Sequence, residues 1–442
     1  MFLVVWLAHD HLAVLVAALV GAGYLLLIER NAATAATVLF LGVVFNIVAL
    51  SVLFRIGVPA SVVQAASLWK EGVVGGCLLA VLHRHAFRRP DAIDLAAGAY
   101  VALGTLYLFV AGLSHGNVGG AHLSLYDRSR GWVSDVLYVA AFLTFRHLRL
   151  GRTVVDTVFR RVLIVTVTTA VIGIFEAIFS APWNYLAVKI LGVTTYRHVV
   201  LHEHPSAAFR LDDVRVYGAH QIIRIGSVLF SYISIGFVFA IGLGIAAELV
   251  ARGRTPRWIA VSMPILGVAL LLTQTRSAII AGVLATVFAL RRRSGKSLAA
   301  RARLARALAV VLVVVLPVII ASGALGRFSA AGRSNADHLK SLHTAVDVMT
   351  ANPMGLGLST AAGGGQVVQQ EAATSTLIVS ESQYLQVGTQ LGFVGLILYL
   401  LLLAVLLRRL LRRDSDDPAG AAAGAMSNVA VGVLVGAIVT IP

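Results

Sequence analysis

What constrains this chain most is a succession of apolar stretches, each about 17 to 25 residues long, parted by short basic connections. A helix of that length spans the hydrocarbon core of a bilayer, and the stretches recur near 12–28, 33–54, 60–82, 92–113, 132–145, 158–179, 225–250, 258–273, 275–290, 305–322, 384–407 and 421–442. The run from Trp258 to Leu290 is too long for one span and is broken by Thr273-Gln274-Thr275-Arg276-Ser277, which predicts two helices joined by a tight turn with Arg276 at a membrane edge. Hydrophobic residues are 58% of the chain, charged residues 13% and mean hydropathy is +0.88, a balance that a soluble protein of 442 residues could not bury. The expected fold is therefore all-α, a polytopic transmembrane helical bundle of about twelve spans.

The formal charge of +16 would suit nucleic acid if it formed a patch, but the basic residues are confined to the connections between spans. No nucleic-acid partner is expected; the bilayer is. The connections at Arg30 and near 84–89, 146–161, 252–257, 291–306 and 408–413 all fall on one side, which the positive-inside rule makes cytoplasmic. The strongest vote is RRRSGKSLAARARLAR at 291–306, with seven Lys or Arg. The two long connections, near 180–224 and 323–383, then emerge together on the opposite, periplasmic or outer face. The same count puts Met1 outside, on little orienting charge, and no removable signal peptide is expected. The organisation is thus a bundle over 1–322 with a loop near 180–224, a long partly helical loop over 323–383, and C-terminal helices over 384–442. A single cysteine, Cys77, excludes a disulfide framework and a thiolate metal site. No GxxxxGK[ST] occurs, which argues against ATP-driven transport, and AAGGGQ at 361–366 has no strand-to-helix context and suits a flexible loop.

Ionisable residues at membrane depth are costly, so each is a functional candidate. Lys70 and Glu71 interrupt the third span, where an ion pair within the bundle and a functional role are equally open. Glu176 and Arg55 lie at span ends, interfacial or functional. Arg276 stands in a polar break on the outer face, where a guanidinium can donate two parallel hydrogen bonds to phosphate oxygens. The connection from Ala181 to Ile223 and its exit add Lys189, Arg197, Arg210, Arg215 and Arg224, against the usual depletion of basic residues on that side. A cationic outer cavity suits an anionic substrate such as a lipid-linked pyrophosphate. His202-Glu203-His204 lacks further ligands, and no metal is expected. Asn335 to Thr350 reads as an amphipathic helix, with Leu339, Leu342, Val346 and Met349 on one face and Asn335 as a possible cap. His338 and His343, five residues apart, fall on different faces and cannot share an ion. One can be catalytic and the other structural, since a neutral imidazole there can accept a proton from an attacking hydroxyl.

From Arg333 through Asn352-Pro353-Met354-Gly355-Leu356-Gly357, followed by Ser380-Glu381-Ser382-Gln383-Tyr384-Leu385-Gln386 and Leu391-Gly392-Phe393-Val394-Gly395, the sequence resembles the C-terminal signature of the O-antigen ligase and polymerase family; TQTRSA at 273–278 resembles its Ser-Arg element. The resemblance implies an inverting, metal-independent, GT-C-like glycosyltransferase of the bacterial inner membrane. Its donor would be an undecaprenyl-pyrophosphate-linked glycan, its acceptor the lipid A-core oligosaccharide, its active site periplasmic, with no cofactor. Many polymerase-like members carry His-Asn just before Tyr-Leu-Gln, where this chain has Glu381-Ser382; that departure weakens a polymerase reading and favours His338 as the base. Arg215, Arg224 and Arg276 would meet the pyrophosphate, with Arg210 and Arg333 further substrate-binding candidates. Two other functions stand beside ligation: a polymerase that lengthens the lipid-linked glycan, and a flippase, which would need a charged path through the membrane rather than basic and histidine residues gathered in two outer loops.

Overall fold

The computed structural model describes residues 11–83, 90–110, 125–148, 152–201, 213–217, 220–251, 256–293, 333–360 and 383–412. Its elements in chain order are helices α1 (His11–Arg55), α2 (Ala60–Ala66), α3 (Trp69–His83), α4 (Ala92–Phe109), α5 (Leu125–Asp135), α6 (Leu137–His147), α7 (Arg152–Ile178), α8 (Ser180–Tyr185) and α9 (Val193–Val199). There follow a hairpin of strands β1 (Asp213–Tyr217) and β2 (His220–Arg224), then α10 (Tyr232–Ala251), α11 (Arg257–Leu272), α12 (Arg276–Arg293), α13 (Arg333–Ala351) and α14 (Gln383–Arg412).

The first two expected spans form one element that folds back on itself. Asn31 leaves the helical region at φ −160°, ψ 93°, and its Oδ1 accepts from Thr34 N at 3.0 Å, the bond an N-cap makes to a new helix. The Tyr24 hydroxyl then donates to the Ala35 carbonyl at 2.9 Å. In a straight helix, residues 11 positions apart are separated by about 16 Å along the axis, so that contact requires a reversal. Spans 12–28 and 33–54 are the two arms of this hairpin.

Among the described residues six helices are long and apolar enough to cross a membrane, including 15–55, which contains both arms, and α11 and α12 are shorter apolar helices. The break expected between 258–273 and 275–290 is there, as α11 and α12. Two expectations need correction. The span at 132–145 is two short helices, α5 and α6, whereas that at 60–82 stands as one of the six, 60–83, made of α2 and α3 end to end. The chain is also not wholly helical: 213–224, expected as loop, carries an antiparallel hairpin in which Arg215 sits opposite Ile222 and Asp213 opposite Arg224. The spans expected at 305–322 and 421–442 lie outside the described residues.

Two helical groups make up the interior. One core joins α7, α10, α11 and α12 through Leu163, Ile235, Phe239, Met263 and Leu266, all fully or almost fully buried. The other joins α4, α5, α6 and α14 through Tyr100, Tyr107, Trp132, Val136 and Leu391. The α1 hairpin packs on α3 and α7 and bridges them. One end of the bundle is marked by Arg146, which pairs with Asp91 and Asp94. Asp91 and Asp94 also form a capping box at the start of α4, so a single carboxylate pair closes the helix and anchors α6.

From that end α4 rises by about 27 Å and α7 by about 40 Å. Their far ends define the opposite end of the bundle, and α11 ends there too, because Ile225 N donates to the Leu272 carbonyl while its neighbours bond Glu176 near the end of α7. Both groups of candidate residues lie toward this end.

Candidate functional site

The segment that leaves β2 is pinned at its first residues. The carboxylate of Glu176 accepts from Gly226 N at 3.2 Å and from Ser227 N at 2.6 Å, and the Ser227 hydroxyl donates to the Thr169 carbonyl at 2.8 Å. Glu176 is 3% exposed, so the interfacial alternative for this residue gives way to a buried one. It supplies acceptors to two backbone N–H groups that would otherwise be unpaired inside the bundle. Gly173 makes the approach possible: a Cβ there would meet Ile225 Cδ1 at 2.8 Å.

Arg224, two residues before Gly226, is 7% exposed. Its Nε donates to the Thr273 carbonyl at 3.1 Å, and its guanidinium carbon sits 3.3 Å from the centroid of the Tyr232 ring. Stacking on an aromatic face and donation from one edge hold the guanidinium plane in one orientation, which suits a planar fork and would not suit an ammonium. The carbonyl it uses belongs to the expected polar break. There Gln274 takes a left-handed backbone, φ +54°, and the Thr275 hydroxyl donates to the Tyr232 carbonyl at 3.0 Å. Arg224, Thr273, Thr275 and Tyr232 thereby close a circuit of contacts, and Arg276 follows as the first residue of α12, half-buried. At Gly236 a Cβ would lie 2.9 Å from Ala278 Cβ and 3.1 Å from Thr273 Oγ1, so α10 seats against this turn only because glycine stands there.

The structure thus brings Arg224 to the turn that bears Arg276. Arg215 occupies β1, and Arg210 and the His202-Glu203-His204 triplet lie outside the described residues. Arg55, at the end of α1, donates to the Lys189 carbonyl at 3.1 Å and ties α1 to the turn after α8. In α3, Lys70 is exposed and Glu71 is 4% exposed.

The second group is built on α13 and α14. Arg333 is the first residue of α13 and His338 stands five positions further on; His343 is exposed. Because α13 starts at Arg333, Asn335 lies within the first turn and does not cap it. On the expected face Met349 is buried and Leu342 half-buried, but Val346 is exposed and Ala345 is buried instead. Met349 packs so closely on α14 that a Cβ at Gly388 would meet its sulfur at 2.2 Å.

After α13 the Asn352–Ser359 turn is laid backbone-to-backbone on α14. Leu356 N donates to the Thr389 carbonyl at 2.8 Å, Gly357 N to that of Gln390 at 2.9 Å, and Phe393 N to that of Pro353 at 3.0 Å. Ser359 N donates to the Gln390 side chain at 2.9 Å, and the Tyr107 hydroxyl to the Met354 carbonyl. Gly355 and Gly392 have φ +82° and +67°, and a Cβ on either would come within 2.4 Å of the other segment's backbone. Two motifs that are far apart in sequence, Asn352–Gly357 and Leu391–Gly395, are therefore the two halves of one clasp. Below it, Gln386 Nε2 donates to Asp135 Oδ1 at 2.6 Å. Asp135, Tyr232 and Arg128 carry no pattern in the sequence that marks them. Glu176 does, as an acid within an apolar stretch.

Fold and site together define a polytopic helical membrane protein with two polar constellations at one end, one organised by Arg224 and Arg276, the other by α13 and the glycine clasp. Residues 260–400, from the fourth residue of α11 to Leu400 in α14, match the family described as O-antigen ligase. The family is one of membrane glycosyltransferases of the O-antigen ligase and polymerase type. No curated protein matches the sequence. The matched region contains Arg276, Arg333, His338 and the whole clasp; Arg224 and Glu176 lie before it.

Proposed function

We propose that the protein is an O-antigen ligase with a twelve-span, GT-C-like bundle, which transfers a glycan from undecaprenyl pyrophosphate to lipid A-core oligosaccharide on the periplasmic face of the bacterial inner membrane. In the proposed reaction a hydroxyl oxygen of the acceptor attacks the anomeric carbon of the donor. His338 takes the hydroxyl proton, the bond from that carbon to the pyrophosphate oxygen breaks, and undecaprenyl pyrophosphate leaves with its electron pair. Arg224 and Arg276, joined by Arg215 and further by Arg210 and Arg333, stabilise the charge that grows on the leaving group. Guanidinium groups take the part a divalent ion plays in other glycosyltransferases, and displacement from the opposite face inverts the anomeric centre.

The observation that carries this reading is the fixed guanidinium of Arg224 at the turn bearing Arg276, since an oriented guanidinium with a second cation beside it at a membrane edge fits a lipid pyrophosphate. The positive-inside count, which puts this end of the bundle outside, supports the periplasmic placement. The test is a purified two-substrate assay with lipid-linked glycan and lipid A-core. Arg276→Ala and His338→Ala variants that remain folded should each lose about 10²-fold or more in transfer. Full ligation by His338→Ala would refute the base assignment. Glycan elongation on the carrier with no transfer to lipid A-core would refute ligation in favour of polymerisation.

A further inference from the structure

A second buried arginine belongs to neither constellation as so far described. Arg128, in α5, is 7% exposed, and its Nη1 donates to the carbonyl of Leu108 at 2.8 Å. Its Nε is fully buried and has no hydrogen-bond partner, and among the described residues no carboxylate pairs with it. The Leu108 carbonyl is one of the last in α4, where helix carbonyls lack internal partners, so one donor of five has a structural use. A neutral amide could meet that need without bringing a buried charge. Among the described residues the charge itself is left without an anion, a state that proteins rarely maintain unless a ligand supplies one.

Its place in the fold says where that ligand comes from. One helical turn along α5, Gly131 lies so close to Ser359 that a Cβ would meet Ser359 N at 2.4 Å and Leu358 C at 2.9 Å. On α4, the Tyr107 hydroxyl next to Leu108 holds the Met354 carbonyl of the same turn. Arg128 therefore stands at the end of the bundle that bears the glycine clasp, in the core that contains Trp132, Leu358 and Leu391. Arg224 and Arg276 belong to the other helical group, around Ile225, Leu270 and Ala278.

We propose that Arg128 is an anion-binding residue for the second substrate, pairing with a phosphate or carboxylate carried by the acceptor glycan. The proposal rests on the glycan-transfer reading. Two cations at the α11–α12 turn serve the donor pyrophosphate, and a separate cation beside the clasp fixes an acidic acceptor through a fork that matches either oxyanion.

The experiment compares wild type with Arg128→Gln, which retains an N–H donor for the Leu108 carbonyl and removes the charge, and with Arg128→Lys, which retains charge without the fork. Each is given lipid-linked donor and acceptors bearing a phosphate, a carboxylate or neither. Arg128→Gln is expected to raise KM for both acidic acceptors by about 10- to 100-fold. It should leave KM for the donor and for the neutral acceptor unchanged, with Arg128→Lys in between. A purely structural role predicts equal losses on all three acceptors, or no loss for Arg128→Gln, and either result overturns the proposal; so does a rise confined to the donor. If wild type transfers to no acceptor, it is the glycan-transfer reading that fails. Inorganic phosphate, titrated while melting temperature is followed in detergent, still decides whether Arg128 binds an anion: stabilisation of wild type and not of Arg128→Gln supports it, and equal shifts refute it.

Discussion

Glu176→Gln isolates how the site arginine is held. The carboxylate accepts two buried backbone N–H groups, from Gly226 at 3.2 Å and Ser227 at 2.6 Å, immediately after Arg224 and Ile225. Glutamine has nearly the same shape but only one acceptor oxygen, and its amide would face the other N–H donor to donor. One hydrogen bond to a charged group is lost and one buried N–H is left unsatisfied, together about 2 to 4 kcal/mol of local stability. At about 1.4 kcal/mol per decade, opening of the 225–227 segment becomes roughly 30- to 700-fold more populated. Hydrogen exchange followed by mass spectrometry reads this directly, in peptides containing Ile225 to Ser227, with peptides from α4 as an internal reference. Exchange should accelerate locally and stay unchanged in α4. Donor KM should rise with it, because Arg224 is then held in position for a smaller fraction of the time. Unchanged exchange at 225–227 would refute the assignment of Glu176 as the anchor, whatever happened to activity. Accelerated exchange with unaltered donor KM would refute the link from that anchor to Arg224.

Three further substitutions test separate parts of the structure. Arg224→Lys keeps the charge and loses the planar fork bonded to Thr273 and stacked on Tyr232, and should lower transfer at limiting donor by about 10-fold or more, read as kcat/KM. Gly355→Ala places a Cβ 2.4 Å from both the Gln390 carbonyl and Gly392 N at φ +82°, so its melting temperature should fall sharply, whereas Gly98→Ala, with nothing within 4 Å, should melt as wild type does. Arg146→Ala strands Asp91 and Asp94 at the start of α4; with the three side chains 10% to 35% exposed, a cost of about 1 to 3 kcal/mol is expected, seen as a lower melting temperature in detergent.

How far the sequence could be read depends on what each feature rests on. Span lengths follow from local composition, so the break at Thr273–Ser277 was legible, and so was the turn near Arg30 that makes two spans of α1. The division of 132–145 was not, because an apolar run does not say where a helix will shift direction to suit its neighbours. The hairpin at 213–224 was not, because the basic residues of 180–224 mark it as a connection, although Val214, Val216, Ile222 and Ile223 have strand character. Within the site, Arg276 was legible as a charge where apolar residues were expected. Tyr232 was not, since an aromatic residue at a membrane edge is ordinary until a guanidinium is seen over its face. Arg128 escaped notice for a related reason: its segment is polar, and a cation in a polar segment signals nothing until its burial is known. On α13 the burial of Met349 was legible, but that of Ala345 in place of Val346 was not, because Ala345, small and unremarkable in sequence, is what the close approach to α14 selects.

The clasp explains why two short motifs would recur together without either being catalytic. Asn352–Gly357 and Leu391–Gly395 bond each other through backbone atoms, so side-chain identity matters chiefly where a Cβ would collide, at Gly355 and Gly392. Ser359 is bonded to Gln390, and Gln383 lies about 10 Å along the same helix. Within the first turn of α14, Gln386 is fixed on Asp135. By the same clasp the C-terminal end of α13 is fixed, three turns or so beyond His338. A base delivered by a loop must recur in one position on every turnover, and a helix tethered at its end by backbone hydrogen bonds provides that without placing any further polar side chain in the bilayer. The motifs are thus the mount for α13, which in the proposed reaction carries the base.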